Sequence, residues 1–191
     1  LESMLTPRTQ RWHRLAGKPG MRLSRDSQLW LEYATEKLFE FRLRPGAAFA
    51  SQIYEVYTSP GAYGTGPFFV GEIPGDGPFY RSIFLGEVYI SENQFGMVDT
   101  VYRCFSFTAR QAYQKWGEAL PETIKTAADK EPDRPFEFAH CVHPNRDLKP
   151  GRLDYRGKPF SSYYVSIEGK KIVSEGGYRR FPDKSPRYVT F

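Results

Sequence analysis

Between Gly86 and Gly117 the hydrophobic period changes once, and that change limits the possible folds more than any other feature of the chain. Val88 and Ile90 alternate with Tyr89 and Ser91, and Val98, Thr100, Tyr102 and Cys104 alternate with Asp99, Val101, Arg103 and Phe105. A period of two held over such lengths specifies strands, and Glu92 to Gly96 supplies the turn between them. Thr108 then offers a hydroxyl to the free amides of a helix, the helix formers Ala109 to Lys115 follow, and Gly117 provides a left-handed stop. A hairpin feeds directly into a short helix, which places the chain among α+β folds.

The flanking sequence extends the pattern. Thr6, with Pro7 at the first helical position, is expected to start a turn or two of helix over Gln10–Leu15, and Gly17 to Gly20 breaks it. Asp26 or Ser27 caps a helix from Gln28 to Arg42 whose apolar set Trp30, Ala34, Leu38 and Phe41 is expected to face inward. Pro45-Gly46 ends it, and Ala47 to Tyr57 forms a second helix with Phe49, Ile53, Val56 and Tyr57 inward. Residues 1–60 thus read as a helical part in which the two longer helices pair as an αα-hairpin. Pro67–Ile73 and Phe79–Leu85 pair about the Pro74–Pro78 turn, and with the next hairpin they make an expected four-strand meander over 66–107.

Residues 108–130 hold two short helices, the second at Glu122–Asp129 with Ile124 and Ala127 or Ala128 turned in. Over 136–178 come the strand Phe136–His143, a polar loop from Pro144 to Pro159, and a hairpin of Phe160–Ile167 with Lys171–Glu175, broken at Gly176-Gly177. The expected fold class is α+β: antiparallel β-hairpins in a meander, packed with an N-terminal αα-hairpin and short helices. The 191 residues, 16% aromatic, suffice for one domain with a sizeable core. No run approaches the roughly 18 apolar residues of a spanning helix. Cys104 and Cys141 read as two buried thiols of a reducing compartment. A formal charge of +5 permits weak contact with polyanions, and the Lys and Arg residues are spread over the whole length.

Candidate chemistry is sparse. Gly61, Gly64 and Gly66 follow a helix and precede a strand, the reverse of a phosphate loop, in which free helix amides meet the anion. His140, Cys141 and His143 form the best metal-ligand cluster, but His140 and His143 point to opposite faces of a strand and cannot close on one ion without a bulge. His13 is distant in sequence, and Cys104 would have to be an adjacent neighbour. The carboxylate pairs Glu87 with Glu92 and Asp129 with Asp133 come with no cleft signature, and no serine sits in a Gly-x-Ser-x-Gly elbow. Basic and aromatic residues interleave near Tyr178, Arg179, Arg180, Phe181 and Arg187, a composition that can stack bases and grip phosphates. No catalytic, cofactor-binding or metal residue is therefore assigned, no cofactor is implied, and a nucleic-acid interface cannot be assigned to particular residues.

A series of short phrases in fixed order carries a resemblance: Leu5-Thr6-Pro7, Gln10-Arg11-Trp12, Leu29-Trp30-Leu31-Glu32, Gln52-Ile53-Tyr54-Glu55-Val56-Tyr57 and Gly61-Ala62-Tyr63-Gly64-Thr65-Gly66. Gly86-Glu87-Val88-Tyr89, Gly96-Met97-Val98-Asp99-Thr100-Val101-Tyr102-Arg103 and Thr108-Ala109-Arg110-Gln111 continue it. Val142-His143-Pro144, Pro159-Phe160-Ser161-Ser162 and Ser174-Glu175-Gly176-Gly177-Tyr178 follow in the same order. Together they resemble the head-to-tail connecting, or portal, proteins of short-tailed bacteriophages and related prophages, over nearly the whole chain. The resemblance implies a non-enzymatic structural subunit of a dodecameric ring at one capsid vertex, through which DNA is packaged and ejected. It implies identical subunits, capsid and tail proteins, and the terminase motor as partners, no membrane, and residence in the virion after assembly in the host cytoplasm. Residues 1–191 would be the peripheral wing, a single domain cut from a longer chain whose motor-docking and tunnel-lining parts lie elsewhere. Arg44-Pro45-Gly46-Ala47-Ala48-Phe49 departs from the family, which usually has a Ser-Asn-Phe phrase there, and Pro186-Arg187-Tyr188 stands where a Pro-x-x-Arg-Trp-like phrase is expected. The alternative from another class is a nucleic-acid-binding module with an aromatic and basic surface; an unrecognised hydrolase is a third.

Overall fold

In the computed structural model, which describes residues 2–7 and 9–184, the chain sorts into two compact units. One comprises the residues up to Ile83 together with a short strand at Asp183–Lys184, and the other is Phe84–Pro182. Each is built around its own antiparallel sheet.

The first unit contains α1 (Glu2–Leu5), α2 (Arg25–Leu43), α3 (Phe49–Tyr63), β1 (Phe68–Ile73), β2 (Gly77–Ser82) and β8 (Asp183–Lys184), with sheet order β2-β1-β8. Pro45–Ala47 makes the tight turn expected between the long helices, and Ala48 follows at φ +53°. Val56 of α3 is buried, as its spacing predicts. The Gln52 side-chain carbonyl accepts the Ser82 N–H at 2.7 Å, and Phe49 meets Tyr80 edge-on at 4.9 Å, so α3 is fixed on β2.

Several expectations fail here for identifiable reasons. Gln10–Leu15 is not helical, because the Leu15 N–H goes to the Thr35 hydroxyl at 3.0 Å rather than to a carbonyl one turn back. Trp12 and His13 instead lie against Phe39, with ring centroids 5.6 and 4.4 Å away, and the segment runs along α2 as an irregular strap. The cap of α2 is Ser24, whose hydroxyl accepts the Ser27 N–H, so the helix begins before the predicted Gln28. Its packed face is also rotated. Thr35 is the buried residue, with Leu31, Phe39 and Arg42 half-buried beside it, whereas Trp30, Leu38 and Phe41 are 65%, 36% and 42% exposed. Finally, α3 continues past Tyr57 to Tyr63.

The second unit is a five-stranded sheet in the order β3-β4-β5-β6-β7, formed by β3 (Val88–Glu92), β4 (Val98–Thr108), β5 (Pro135–Pro144), β6 (Phe160–Ser166) and β7 (Lys171–Tyr178). The strands from 66 to 107 are thus divided between two sheets, because among the described residues β2 pairs with β1 and not with β3, which pairs with β4. In the β3–β4 turn, the Asn93 side chain accepts the N–H groups of Phe95 and Met97 at 2.9 and 3.2 Å, which closes the loop locally. The strand β7 runs through Gly176 and Gly177 to Tyr178 without breaking. At Gly177 the reason is close approach: a Cβ there would come within 2.7 Å of the Phe160 carbonyl oxygen.

Between β4 and β5 the chain inserts α4 (Ala109–Trp116) and α5 (Glu122–Lys130). Thr108 and Gln111 form a reciprocal capping box, and Gly117 ends α4 at φ +50°. Ala109, Ala112, Leu120, Ile124 and Ala127 bring the two helices down on Phe105, Phe136, Phe138 and Val173 to make the core. Phe138 and Ile124 are fully buried.

Removing the Phe138 ring leaves a void that its neighbours fill only partly, so Phe138→Ala is expected to lower unfolding free energy by about 3–5 kcal/mol. Thr108→Ala, which removes one half of the capping box, is expected to cost about 1 kcal/mol. Urea titration followed by circular dichroism separates the two, and a Phe138→Ala cost no larger than that of Thr108→Ala would show that the core is elsewhere.

Candidate assembly surface

The five-stranded sheet has two unlike faces because each strand alternates. On the helix-covered face the cross-strand register aligns Val88, Arg103, His140, Tyr164 and Ser174. On the opposite face it aligns Tyr89, Tyr102, Cys141, Tyr163 and Glu175. There Tyr89 and Tyr102 are 65% and 47% exposed, and Cys104, Ile167 and Ile172 are exposed as well. Both thiols are free; the expectation that both are buried fails at Cys104, which lies on this outer face, while Cys141 is half-buried. Burial pushes the Cys141 thiol pKa up, opposed by a hydrogen bond with Tyr102.

Polar groups on the covered face are held in place by charge and ring contacts. His140 is buried, stacks on Tyr164 at 4.0 Å and 3°, and hydrogen-bonds through Nε2 to the Ser162 hydroxyl at 2.9 Å. Burial, followed by the positive charges of Lys115 and Arg103, pushes the His140 pKa down to about 3. Arg103 pairs with Glu87 at 2.8 Å and lies over the Phe105 ring, and Lys115 of α4 sits 4.3 Å from the Tyr164 ring centroid. The imidazole is therefore a neutral member of the core. His143 lies on the other face, stacked on Tyr163.

The first unit presents a different kind of surface. Trp30, Leu38 and Phe41 line the outward side of α2, with Leu29 and Tyr33 also exposed. On the strap side an open cavity of about 510 Å³ is lined by Arg11, Trp12, His13, Arg14, Glu32, Thr35 and Glu36. Arg42 donates to His13 Nε2 at 2.9 Å and lies over the Trp12 ring. Burial and then the Arg42 charge lower the His13 pKa.

The candidate residues named from the sequence do not meet in one place. Glu87 is occupied by Arg103, Asp129 and Asp133 are exposed, and Arg179 and Arg180 are exposed; Arg187 lies outside the described residues. Among the described residues, no three or more His, Cys, Asp or Glu side chains group so as to hold a metal ion. Nor is any described helix long and apolar enough to cross a membrane. What pattern reading missed is the outward apolar stripe of α2, which its periodicity marked correctly as a stripe but assigned to the interior.

The model for the bacteriophage head to tail connecting protein family matches residues 1–191. The chain belongs to that family. It is similar to the portal protein of Salmonella phage epsilon15, 29% identical over 195 residues, covering 97% of this chain and 34% of that protein. It is also similar to the probable portal protein of Bordetella phage BPP-1, 24% identical over 190 residues, covering 97% and 34% respectively. The chain thus spans about a third of the length of these relatives.

In this chain the neutral His140 sets a pH dependence. The folded-state pKa is about 3 against an ordinary 6.5, so the contribution to stability is fully present above pH 6.5. Below that the unfolded chain binds a proton that the folded chain refuses, and the contribution falls by about 1.4 kcal/mol per pH unit until pH approaches the folded value. His140→Gln is expected to remove that slope, so the stability difference between the wild type and this variant should shrink steadily from pH 6 to pH 4. Parallel acid titrations of the two proteins would show that His140 is not held neutral.

Proposed function

We propose that residues 1–191 form the peripheral wing region of a portal subunit. Twelve copies of the full-length protein would form a ring at one capsid vertex, joining head to tail and giving DNA its passage during packaging and ejection. The observation that carries this reading is the family match along all 191 residues. Both relatives named as portal proteins are covered over about a third of their length. In this reading the role is structural rather than catalytic, and the protein resides in the virion after assembly in the host cytoplasm. Its partners are identical subunits, capsid and tail proteins, and the terminase motor. The outward stripe of α2 and the open sheet face supply apolar area suited to such contacts.

Head-to-tail contacts close a ring only when the rotation per subunit fits, and obligate interfaces bury more than about 2,000 Å². The 191-residue chain alone is expected to be a monomer by light scattering. The full-length protein is expected to form closed twelve-fold rings by electron microscopy, and a full-length protein that stays monomeric at high concentration would overturn the assignment.

A further inference from the structure

The cations of this chain are spread along its length, but its acids are not. Residues 1–25 hold six of the 27 Lys and Arg residues and one of the 22 Asp and Glu residues. That imbalance accounts for the entire formal net charge of +5, and the remainder of the chain carries equal numbers of each sign. The charged segment is the strap. Arg11, Arg14, Lys18, Arg22 and Arg25 follow one another at intervals of three or four residues, and all five are exposed.

The strap is fixed to the fold by its uncharged members: Trp12 and His13 pack on Phe39, and the Leu15 N–H bonds to Thr35. Arg11 is neutralised by Glu36. Arg14 shares its cavity with Glu32 and Glu36, and Asp26 follows Arg25 in the first turn of α2. Arg14, Lys18, Arg22 and Arg25 nonetheless form no ion pair among the described residues. Arg14, Lys18 and Arg22 stand on irregular backbone tethered at Trp12, His13 and Leu15, and Arg25 stands at the first residue of α2, so all four are exposed on backbone held by the fold. They are placed to grip and not to read a sequence, since three lie on irregular backbone and one begins α2, so no single helix or hairpin presents them together to base edges.

We infer that the strap of residues 11–24, together with the first residue of α2, is a sequence-independent contact for the phosphodiester backbone of duplex DNA, made through Arg14, Lys18, Arg22 and Arg25. The choice of duplex DNA among polyanions rests on the portal reading; the concentration of charge does not. Three or four residues of chain span at most about 10–14 Å, whereas duplex DNA presents a charge every ~1.7 Å of its axis, so each cation can meet its own phosphate.

The test is fluorescence anisotropy with a random-sequence duplex, comparing the wild-type chain with the quadruple variant Arg14→Gln, Lys18→Gln, Arg22→Gln, Arg25→Gln. Unfolding curves for both confirm that the fold is retained. Between about 50 and 200 mM salt, the wild type should show a log–log slope steeper than the variant by about 3–4, from a loss of about 0.9 per contact. Equal slopes, or no wild-type binding at the lowest salt, would overturn the inference. Displacement of the DNA by poly-glutamate at equal charge concentration would overturn it too, since the strap would then fit an acidic protein face. Electron microscopy of the full-length variant keeps the two readings apart: twelve-fold rings with lost DNA affinity support both. Rings with unchanged DNA affinity remove the strap contact alone, and a wild type without rings removes the portal assignment whatever the anisotropy shows.

Discussion

Burial of the aromatic face of β4 and β5 beneath α4 and α5 is the contact on which the larger unit depends. Phe105, Phe136 and Phe138 come from adjacent strands, and the small residues Ala109, Ala112 and Ala127 let the helix backbones approach them closely. The helices are too short to persist alone in water. They exist because one face of each is removed from solvent by the sheet, and the sheet in turn loses its exposed aromatic surface to them. The capping box at Thr108 sets where strand becomes helix, so the insertion begins in register with the rings it must cover.

The same alternation that builds this core determines what the outer face displays. Every residue placed inward on β5, from Phe136 to Val142, forces its neighbour outward, and the row from Tyr89 to Glu175 is the consequence across all five strands. A charged imidazole at His140 would sit between Arg103 and Lys115, and the inner face tolerates it only as the neutral base bonded to Ser162. Packing has thus taken the most chemically versatile side chain of the chain and made it structural.

Strand content was legible in the sequence because a period of two leaves only one choice, which face is buried, and the adjacent strands share that choice. The faces of β5 and β6, the β3–β4 turn and both short helices follow from local pattern. The face of α2 was not legible. It carries apolar residues around much of its circumference, so periodicity identifies a stripe but not the partner that covers it; a threonine, Thr35, is buried instead because its hydroxyl meets both the Leu31 carbonyl and the Leu15 N–H. The strap failed for a related reason: Gln10–Leu15 has acceptable helix formers, and only tertiary partners divert its backbone. The separation of 66–107 into two sheets has no local signal, since Ile83 and Phe84 read as a continuation of the strand before them. The candidate surface inherits these limits, as the α2 stripe was read with the right residues on the wrong side.

The two-residue strand β8 pairs Lys184 with Phe68 and Asp183 with Phe69, so the sheet of the first unit closes across an intervening stretch of more than a hundred residues. The five-stranded sheet joins only consecutive strands, so its pairings are far more local than that of β1 with β8, which favours its earlier folding. During synthesis from the N-terminus, β1 must wait for its second partner until the whole intervening unit has left the ribosome. A nascent chain stalled within that unit would carry one edge of β1 unpaired, open to the wrong strand, and emergence of Asp183 and Lys184 would close it.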